Sequence, residues 1–286
     1  MHTHLSKWIT ENAENAYNAD RICTILFALM AISAFATMFV PPLHYLSLHG
    51  ASSVSKRNRP PLPQSLPRIL SKLLHPIYTI LDLRISKRYF TLFYIIPFFL
   101  LPLRPTHLHT TLFQLHCLRR LYECARVHNF RGQMTLTGFL VGCVHYVITS
   151  VLFNIPPPSL PTPIFNRIIH PIGCIIFVLN SLKQHKAHLA LSLQSRTPSI
   201  PYPPLPKTSE FKIHSCPHYV AELYIYIAFL AFHQTGGSAA CAAWVHVNLM
   251  MAKMGKDEAK GKTGGLLFGG GWGEGEGRKK PPTKTG

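Results

Sequence analysis

The stretch ICTILFALMAISAFATMFV, residues 22–40, is mostly apolar and contains no charged side chain. Its length is about what a helix needs to cross the hydrocarbon core of a bilayer. The leader before it contains Glu11 and Glu14, whereas a cleaved signal peptide begins with basic residues and has a shorter apolar core. Pro41 and Pro42 end the run. The stretch therefore predicts an anchored membrane helix.

Further apolar runs follow along the chain, and the proline-rich connections at 156–163 and 198–206 cannot continue a helix. The runs are 89–103, 111–127, 134–153, 168–182, 219–232 and, more weakly, 239–252. We predict an all-α protein, a multi-span transmembrane helical bundle with about six membrane segments.

The domain organisation follows from these runs. Residues 1–50 are expected to form a polar leader and a transmembrane anchor, and 51–85 a basic, proline-rich loop. Residues 86–252 are expected to form the membrane domain. The Gly- and Lys-rich tail 253–286 cannot bury a core, which predicts disorder.

Composition supports a membrane location. Only 14% of the 286 residues are charged, yet the net charge is +18, and soluble domains carry about a quarter charged residues. The basic residues cluster beside apolar segments, as at 56–59 and 87–88, which is typical of a cytosolic membrane face. A nucleic-acid-binding module would not need such apolar runs, so we expect no nucleic-acid partner.

The seven cysteines are scattered and include no CxxC pair. Neither a disulfide framework nor a zinc site is indicated. His185 and His188 are three residues apart, but no third ligand follows at metal-binding spacing. We therefore expect no metal, and we interpret 184–188 as a polar cap at the membrane edge that a nucleotide could reach.

Two arginines interrupt the third apolar run. Arg119 and Arg120 are four and three residues before Glu123, so the three can pair along one helix face. His116 and Tyr122 lie beside them. The group is either a salt bridge at the membrane edge or a guanidinium pair that holds a phosphate.

Glu222 is the one acidic residue within 219–232. Tyr219 and Tyr226 are three residues before it and four after it, so the three share a helix face. A carboxylate inside a membrane segment is costly and usually functional. Ribose hydroxyls or an amide are plausible ligands for it.

Taken together, these motifs resemble the polyprenal reductases, the dolichol-forming branch of the steroid 5α-reductase family. The similarity runs in order from about 86 to 248 and points to a reductase domain at 86–252. The matching segments are SKRYFTLFY (86–94), CLRRLYEC (117–124), HP (170–171), QHKAH (184–188), and CPHYVAEL (216–223) followed by Tyr226.

The resemblance implies a multi-pass enzyme of the endoplasmic reticulum membrane. It would use NADPH to reduce the α-isoprene double bond of a long-chain polyprenal, giving dolichal for dolichol synthesis and protein N-glycosylation. Carried over motif by motif, the implied cofactor-binding residues are Arg119, Arg120, Gln184, His188, His218 and Glu222.

The resemblance does not place the proton donor. The family carries a histidine between Thr91 and Phe93, and this chain has Leu92 there. The remaining candidates for a catalytic role are Tyr94, His116 and Tyr122.

Two alternatives remain open. One is a 3-oxo-5α-steroid 4-dehydrogenase, because such steroids carry the same conjugated carbonyl. The other is a truncated, non-catalytic membrane protein. After 244–248 the family continues with a helix and a Tyr-Pro-x-x-Arg ending, whereas this chain runs into Met250, Met251 and the Gly- and Lys-rich tail.

Overall fold

The described part of the chain is mostly helical, with one short two-stranded sheet. The computed structural model describes residues 13–37, 83–103, 105, 107–130, 132–157, 163–195 and 216–259, together with single positions between 72 and 80 and at 211. Most of the predicted loop 51–85 and the tail beyond 259 therefore lie outside the described residues, and the last two residues of that loop belong to a short strand.

Seven helices make up this part. They are α1 (Ala13–Thr37), α2 (Phe90–Leu100), α3 (Leu108–Tyr122), α4 (Leu136–Leu152), α5 (Pro163–Ser195), α6 (Pro217–His233) and α7 (Gly236–Ala259). A π-helical turn (Glu123–Val127) extends α3, and a 3-10 turn (Lys87–Tyr89) precedes α2.

Local sequence explains where several helices begin and end. The Thr135 side chain accepts a hydrogen bond from the Gly138 amide and caps the start of α4. Pro217 is the first residue of α6, where its missing N–H costs nothing. Gln234 ends α6 in the left-handed conformation, with φ 52°.

The two strands β1 (Arg84–Ser86) and β2 (Gln133–Thr135) pair antiparallel, with Ile85 opposite Met134. They lead directly into α2, through the 3-10 turn, and into α4. The sequence analysis did not predict them, because three-residue strands carry too little periodicity to detect. The all-α prediction is corrected by this small sheet.

The helices pack into one bundle. α6 packs along α5, α7 packs along α1, and α2 packs against α3 and α4. Aromatic side chains fill the centre, including Phe113, which is fully buried and lies edge-on to Phe229 with ring centroids 5.7 Å apart.

By length and hydropathy, one described helix could cross a bilayer, namely the segment Glu14–Thr37 of α1. α4 is apolar but shorter. Large apolar side chains on α1, such as Ile22, Leu29 and Ile32, are exposed on its outer face. An anchor helix in 22–40 is thus compatible with the structure, whereas six membrane segments are not confirmed.

Two predicted boundaries are wrong. The apolar run 168–182 lies inside a helix that continues to Ser195, so Gln184 and His188 lie within α5, beyond its apolar part. Residues 253–259, expected to belong to a disordered tail, continue α7. In both places the helix continues from an apolar run into polar residues. Hydropathy alone does not show this continuation.

A candidate active site in a cavity between the helices

A cavity of about 560 Å³ lies between α2, α3, α4, α5, α6 and α7. Its polar lining comes mainly from α3, α5 and α6, and its apolar lining mainly from α2, α4 and α7. The polar members include Arg120, Gln184, His188, His218 and Glu222; the apolar ones include Phe90, Phe93, Val141, Trp244, Val245 and Leu249.

Glu123 is the centre of the polar network, and its side chain is completely buried. Its Oε1 accepts from Arg119 Nη1 at 2.5 Å, and its Oε2 accepts from Arg120. His185 Nδ1 lies 2.9 Å from Oε1 and His188 Nδ1 lies 2.7 Å from Oε2. Glu123 carries one negative charge and contacts two guanidinium groups. Arg119, Arg120 and Glu123 together therefore have a net charge of one positive unit.

The π-helical turn begins at Glu123, and the His128 amide donates to the Glu123 carbonyl at 2.8 Å. A π-helical turn changes the direction of side chains relative to a regular helix and is frequent at functional sites. The turn brings His128 beside His188, with ring centroids 4.7 Å apart. Burial, together with the positive charge of Arg120, lowers the pKa of His128 to about 4, so His128 is neutral at pH 7.

Arg120 joins this centre to α2. Its Nε and Nη2 donate to the Tyr94 hydroxyl at 3.1 and 3.0 Å. Its guanidinium carbon also lies 5.1 Å from the centroid of the Tyr94 ring. The arginine is held on one side by a carboxylate and on the other by a phenol, so its orientation is fixed before any ligand arrives.

Gln184 joins the arginine pair to α6. Its Oε1 accepts from Arg119, and its Nε2 donates to Glu222 Oε2. The other carboxylate oxygen, Oε1, lies 3.4 Å from His116 Nε2, a contact without hydrogen-bond geometry. Oε1 of Glu222 thus accepts no hydrogen bond of good geometry from the described residues and can accept one from a ligand.

The structure brings five of the six predicted cofactor-binding residues to the cavity wall. Arg119 lies behind the wall and reaches it only through Glu123 and Gln184. Tyr219, Glu222 and Tyr226 all line the cavity, which confirms the shared face predicted for them. The five predicted cofactor-binding residues that line the cavity are Arg120, Gln184, His188, His218 and Glu222.

The three predicted catalytic residues are not equally placed. Tyr94 lines the cavity. His116 is fully buried behind Glu222 and is not part of the lining. Tyr122 is 56% exposed and also lies outside the lining. The structure does not bring Tyr122 to the site.

Among the lysine, arginine and histidine residues of the lining, sequence reasoning missed three, Lys87, His128 and His145. A single histidine on an apolar helix, such as His145, resembles a core residue in the sequence. Lys87 appeared as part of a basic cluster at the membrane surface. Only the strand pairing of β1 with β2, which places Lys87 close to Gly132, could have located it.

Glu123, His128 and His188 bring one potential metal ligand each within 4.8 Å of one another. The sequence gave no sign of this group, because its members come from different elements. Arg120 Nη1 lies 2.6 Å from His188 Nδ1 and donates to Glu123. A metal cation bound to these two side chains would lie close to the guanidinium, whose positive charge would repel it.

Comparison with known proteins supports the resemblance. A family model described as 3-oxo-5-alpha-steroid 4-dehydrogenase matches residues 126–260. The chain is similar to the polyprenal reductases. It is 34% identical to the polyprenal reductase of Danio rerio over 138 residues, which cover 43% of this chain and 44% of that protein.

Two further relatives agree. The polyprenal reductase of Saccharomyces cerevisiae is 31% identical over 121 residues (42% of this chain, 44% of the relative), and that of Homo sapiens is 30% identical over 128 residues (40% of each). The resemblance to the polyprenal branch of the family, predicted from the motifs, is thus confirmed. The chain spans less than half the length of the curated relatives it matches.

The family match includes the segment in which the sequence analysis noted a departure. Leu249 and Ala252, which lie in that segment and within the matched residues 126–260, line the cavity together with Asn248. The atypical C-terminal segment therefore supplies part of the wall in this chain.

Proposed function

We propose that this chain reduces the α-isoprene double bond of a long-chain polyprenal with NADPH, giving dolichal for dolichol synthesis in the endoplasmic reticulum membrane. The observation that carries the proposal is a cavity lined both by charged, hydrogen-bonding side chains and by apolar ones. Its similarity to polyprenal reductases agrees with a lipid aldehyde as the substrate.

The residues of the polar wall fit a dinucleotide. Arg119 and Arg120 with Glu123 retain one net positive charge, which suits a phosphate. Glu222 Oε1 accepts no hydrogen bond from the described residues, and a ribose hydroxyl or a carboxamide N–H would satisfy it. Arg120, His188 and His218 would hold the phosphate-bearing part of the cofactor, and Glu222 with Gln184 its hydroxyl and amide groups.

Bound NADPH would supply the hydride. The chain's own residues must then hold the aldehyde and accommodate the charge that develops when the β-carbon of the conjugated system is reduced. That charge rests on the aldehyde oxygen, so a donor fixed nearby lowers the barrier. Tyr94, whose hydroxyl receives two hydrogen bonds from Arg120, is a suitable donor. The apolar wall formed by Phe93, Val141 and Leu249 would take up the isoprenoid chain and exclude water.

The test is turnover of polyprenal with NADPH in membranes that contain the full chain. We expect Glu222→Ala to lose most of the activity at unchanged expression, because it removes the free carboxylate acceptor from the wall. The matched control is Glu14→Ala on the exposed face of α1, which should behave as the wild type. Unchanged turnover in Glu222→Ala would exclude Glu222 from the site.

A steroid substrate is the second candidate, favoured by the description of the matching family model. Competition between polyprenal and a 3-oxo-Δ4 steroid separates the two, since only a lipid reductase prefers the long isoprenoid. A non-catalytic membrane protein is the third. It would show neither turnover nor protection of the fold by NADPH.

A further inference from the structure

A second hydrogen-bonded pair lines the cavity, separate from the arginine network. Tyr226 on α6 and His145 on α4 both lie in the wall, and Tyr226 Oη is 2.8 Å from His145 Nε2. Tyr226 is one helical turn after Glu222, and its side chain is only 2% exposed. The pair therefore sits next to the carboxylate that we assign to the cofactor.

The surroundings of His145 indicate which atom carries the hydrogen. Its Nδ1 is buried and has no hydrogen-bond partner among the described residues. A buried N–H without an acceptor is more costly than a bare lone pair in the same place. The favoured tautomer thus has its hydrogen on Nε2, and His145 donates to Tyr226 Oη.

This arrangement leaves the hydroxyl hydrogen of Tyr226 unused. Within the part of the chain that the structure describes, His145 is the one hydrogen-bond partner of Tyr226. The Tyr94 hydroxyl, by comparison, already accepts two hydrogen bonds from Arg120, which suits it to hold the aldehyde oxygen. Tyr226 is a donor at the cavity wall, and no acceptor for its hydrogen lies among the described residues.

We propose that Tyr226 is the catalytic acid that protonates the α-carbon, and that His145 is its positioning residue. The assignment rests on the proposed reductase function. As hydride adds to the β-carbon, the π electrons move to the aldehyde oxygen. They return as the α-carbon takes the Tyr226 proton. The O–H bond of Tyr226 breaks, His145 Nε2–H stabilises the phenolate, and a proton from water restores the phenol.

The first test is Tyr226→Phe in the full chain. We expect kcat to fall by at least about 100-fold, the usual contribution of a positioned acid, with KM and NADPH affinity within about twofold of the wild type. A solvent deuterium isotope effect on kcat should be present in the wild type. Tyr224→Phe is the matched control, because Tyr224 lies on the same helix, is exposed and is not part of the lining.

The second test keeps the assignment falsifiable if Tyr226→Phe does not fold. His145→Gln retains a side-chain N–H that can donate to Tyr226, whereas His145→Leu does not. We expect the glutamine variant to keep kcat at least about tenfold above that of the leucine variant. Equal kcat values in the two His145 variants would overturn the pairing.

The outcomes separate the two proposals. A wild-type chain that reduces polyprenal or steroid while Tyr226→Phe matches it, isotope effect included, overturns the Tyr226 assignment alone. A wild-type chain that reduces neither substrate overturns the reductase function, and with it the role of Tyr226.

Discussion

Glu123 shows how one buried carboxylate can organise a site. It accepts hydrogen bonds from Arg119 and Arg120 and contacts two imidazoles, His185 and His188. Arg119 and Arg120 come from α3, and the histidines from α5. The carboxylate thus fixes two helices relative to each other and presents Arg120 to the cavity.

Removing this charge should destabilise the fold. In Glu123→Gln the two guanidinium groups keep their burial but lose their counter-charge. Breaking a buried ion pair from one side costs about 3–5 kcal/mol. We expect a lower unfolding temperature in detergent for Glu123→Gln, with Glu14→Gln on the exposed face of α1 as the control. Equal unfolding temperatures would mean that the arginines find other acceptors.

The site could be predicted from the sequence where a costly residue interrupts an apolar run. Arg120 and Glu222 were identified in this way, and both line the cavity. His145 did not, because one histidine among apolar residues has no periodic or motif signal. Tyr122 was assigned by its place in a motif, but it is exposed because adjacent helix positions face different directions.

At the level of elements, α7 is held to α1 by a polar contact at its first turn. The Gly237 amide donates to Asp20 Oδ1 at 3.1 Å. A side chain on Gly237 would collide with Leu152 and Asp20, so glycine permits this close approach. Thr235 also caps the helix by accepting from the Ser238 amide at 3.2 Å.

Loss of the Asp20 carboxylate should weaken the contact between α1 and α7. For Asp20→Ala we expect a loss of about 1.5–3 kcal/mol, typical of a hydrogen bond to a charged group. Thermal unfolding in detergent measures it, and Asn18→Ala on the exposed side of the same helix is the control. An unchanged melting temperature in Asp20→Ala would show that Thr235 alone caps α7.

Helix positions were more predictable than helix lengths. The run 134–153 became α4 (Leu136–Leu152), and 219–232 became α6 (Pro217–His233). Apolar composition locates such a helix, and proline or a threonine cap sets its start. α5 runs well beyond its apolar part, since neither glycine nor proline interrupts 183–195.

Across the whole molecule, the cavity depends on the atypical C-terminal segment. Asn248, Leu249 and Ala252 line it, and Met251 is buried. A chain that ends after Asn248 loses part of the apolar wall, whereas a chain that ends after Ala259 keeps every described residue of the lining.

These two truncations test the role of the segment. We expect the chain 1–259 to retain the NADPH-dependent turnover of the full chain. The chain 1–248 should lose at least about 90% of it, because water enters a site whose electrostatics depend on exclusion of solvent. Turnover and NADPH affinity in matched membrane preparations provide the measurement. Full activity of 1–248 would show that the segment is dispensable.

The length of α5 bears on how deep in the bilayer the proposed reaction takes place. Its 33 residues span about 50 Å, while the hydrocarbon layer is about 30 Å thick. If the run 168–182 lay among acyl chains, as the sequence predicts, the turns that carry Gln184 and His188 would lie toward the lipid headgroups. A dinucleotide could then bind from the aqueous phase without entering the hydrocarbon layer. The aldehyde group of a polyprenal, whose tail stays in that layer, would reach the dinucleotide at the membrane surface.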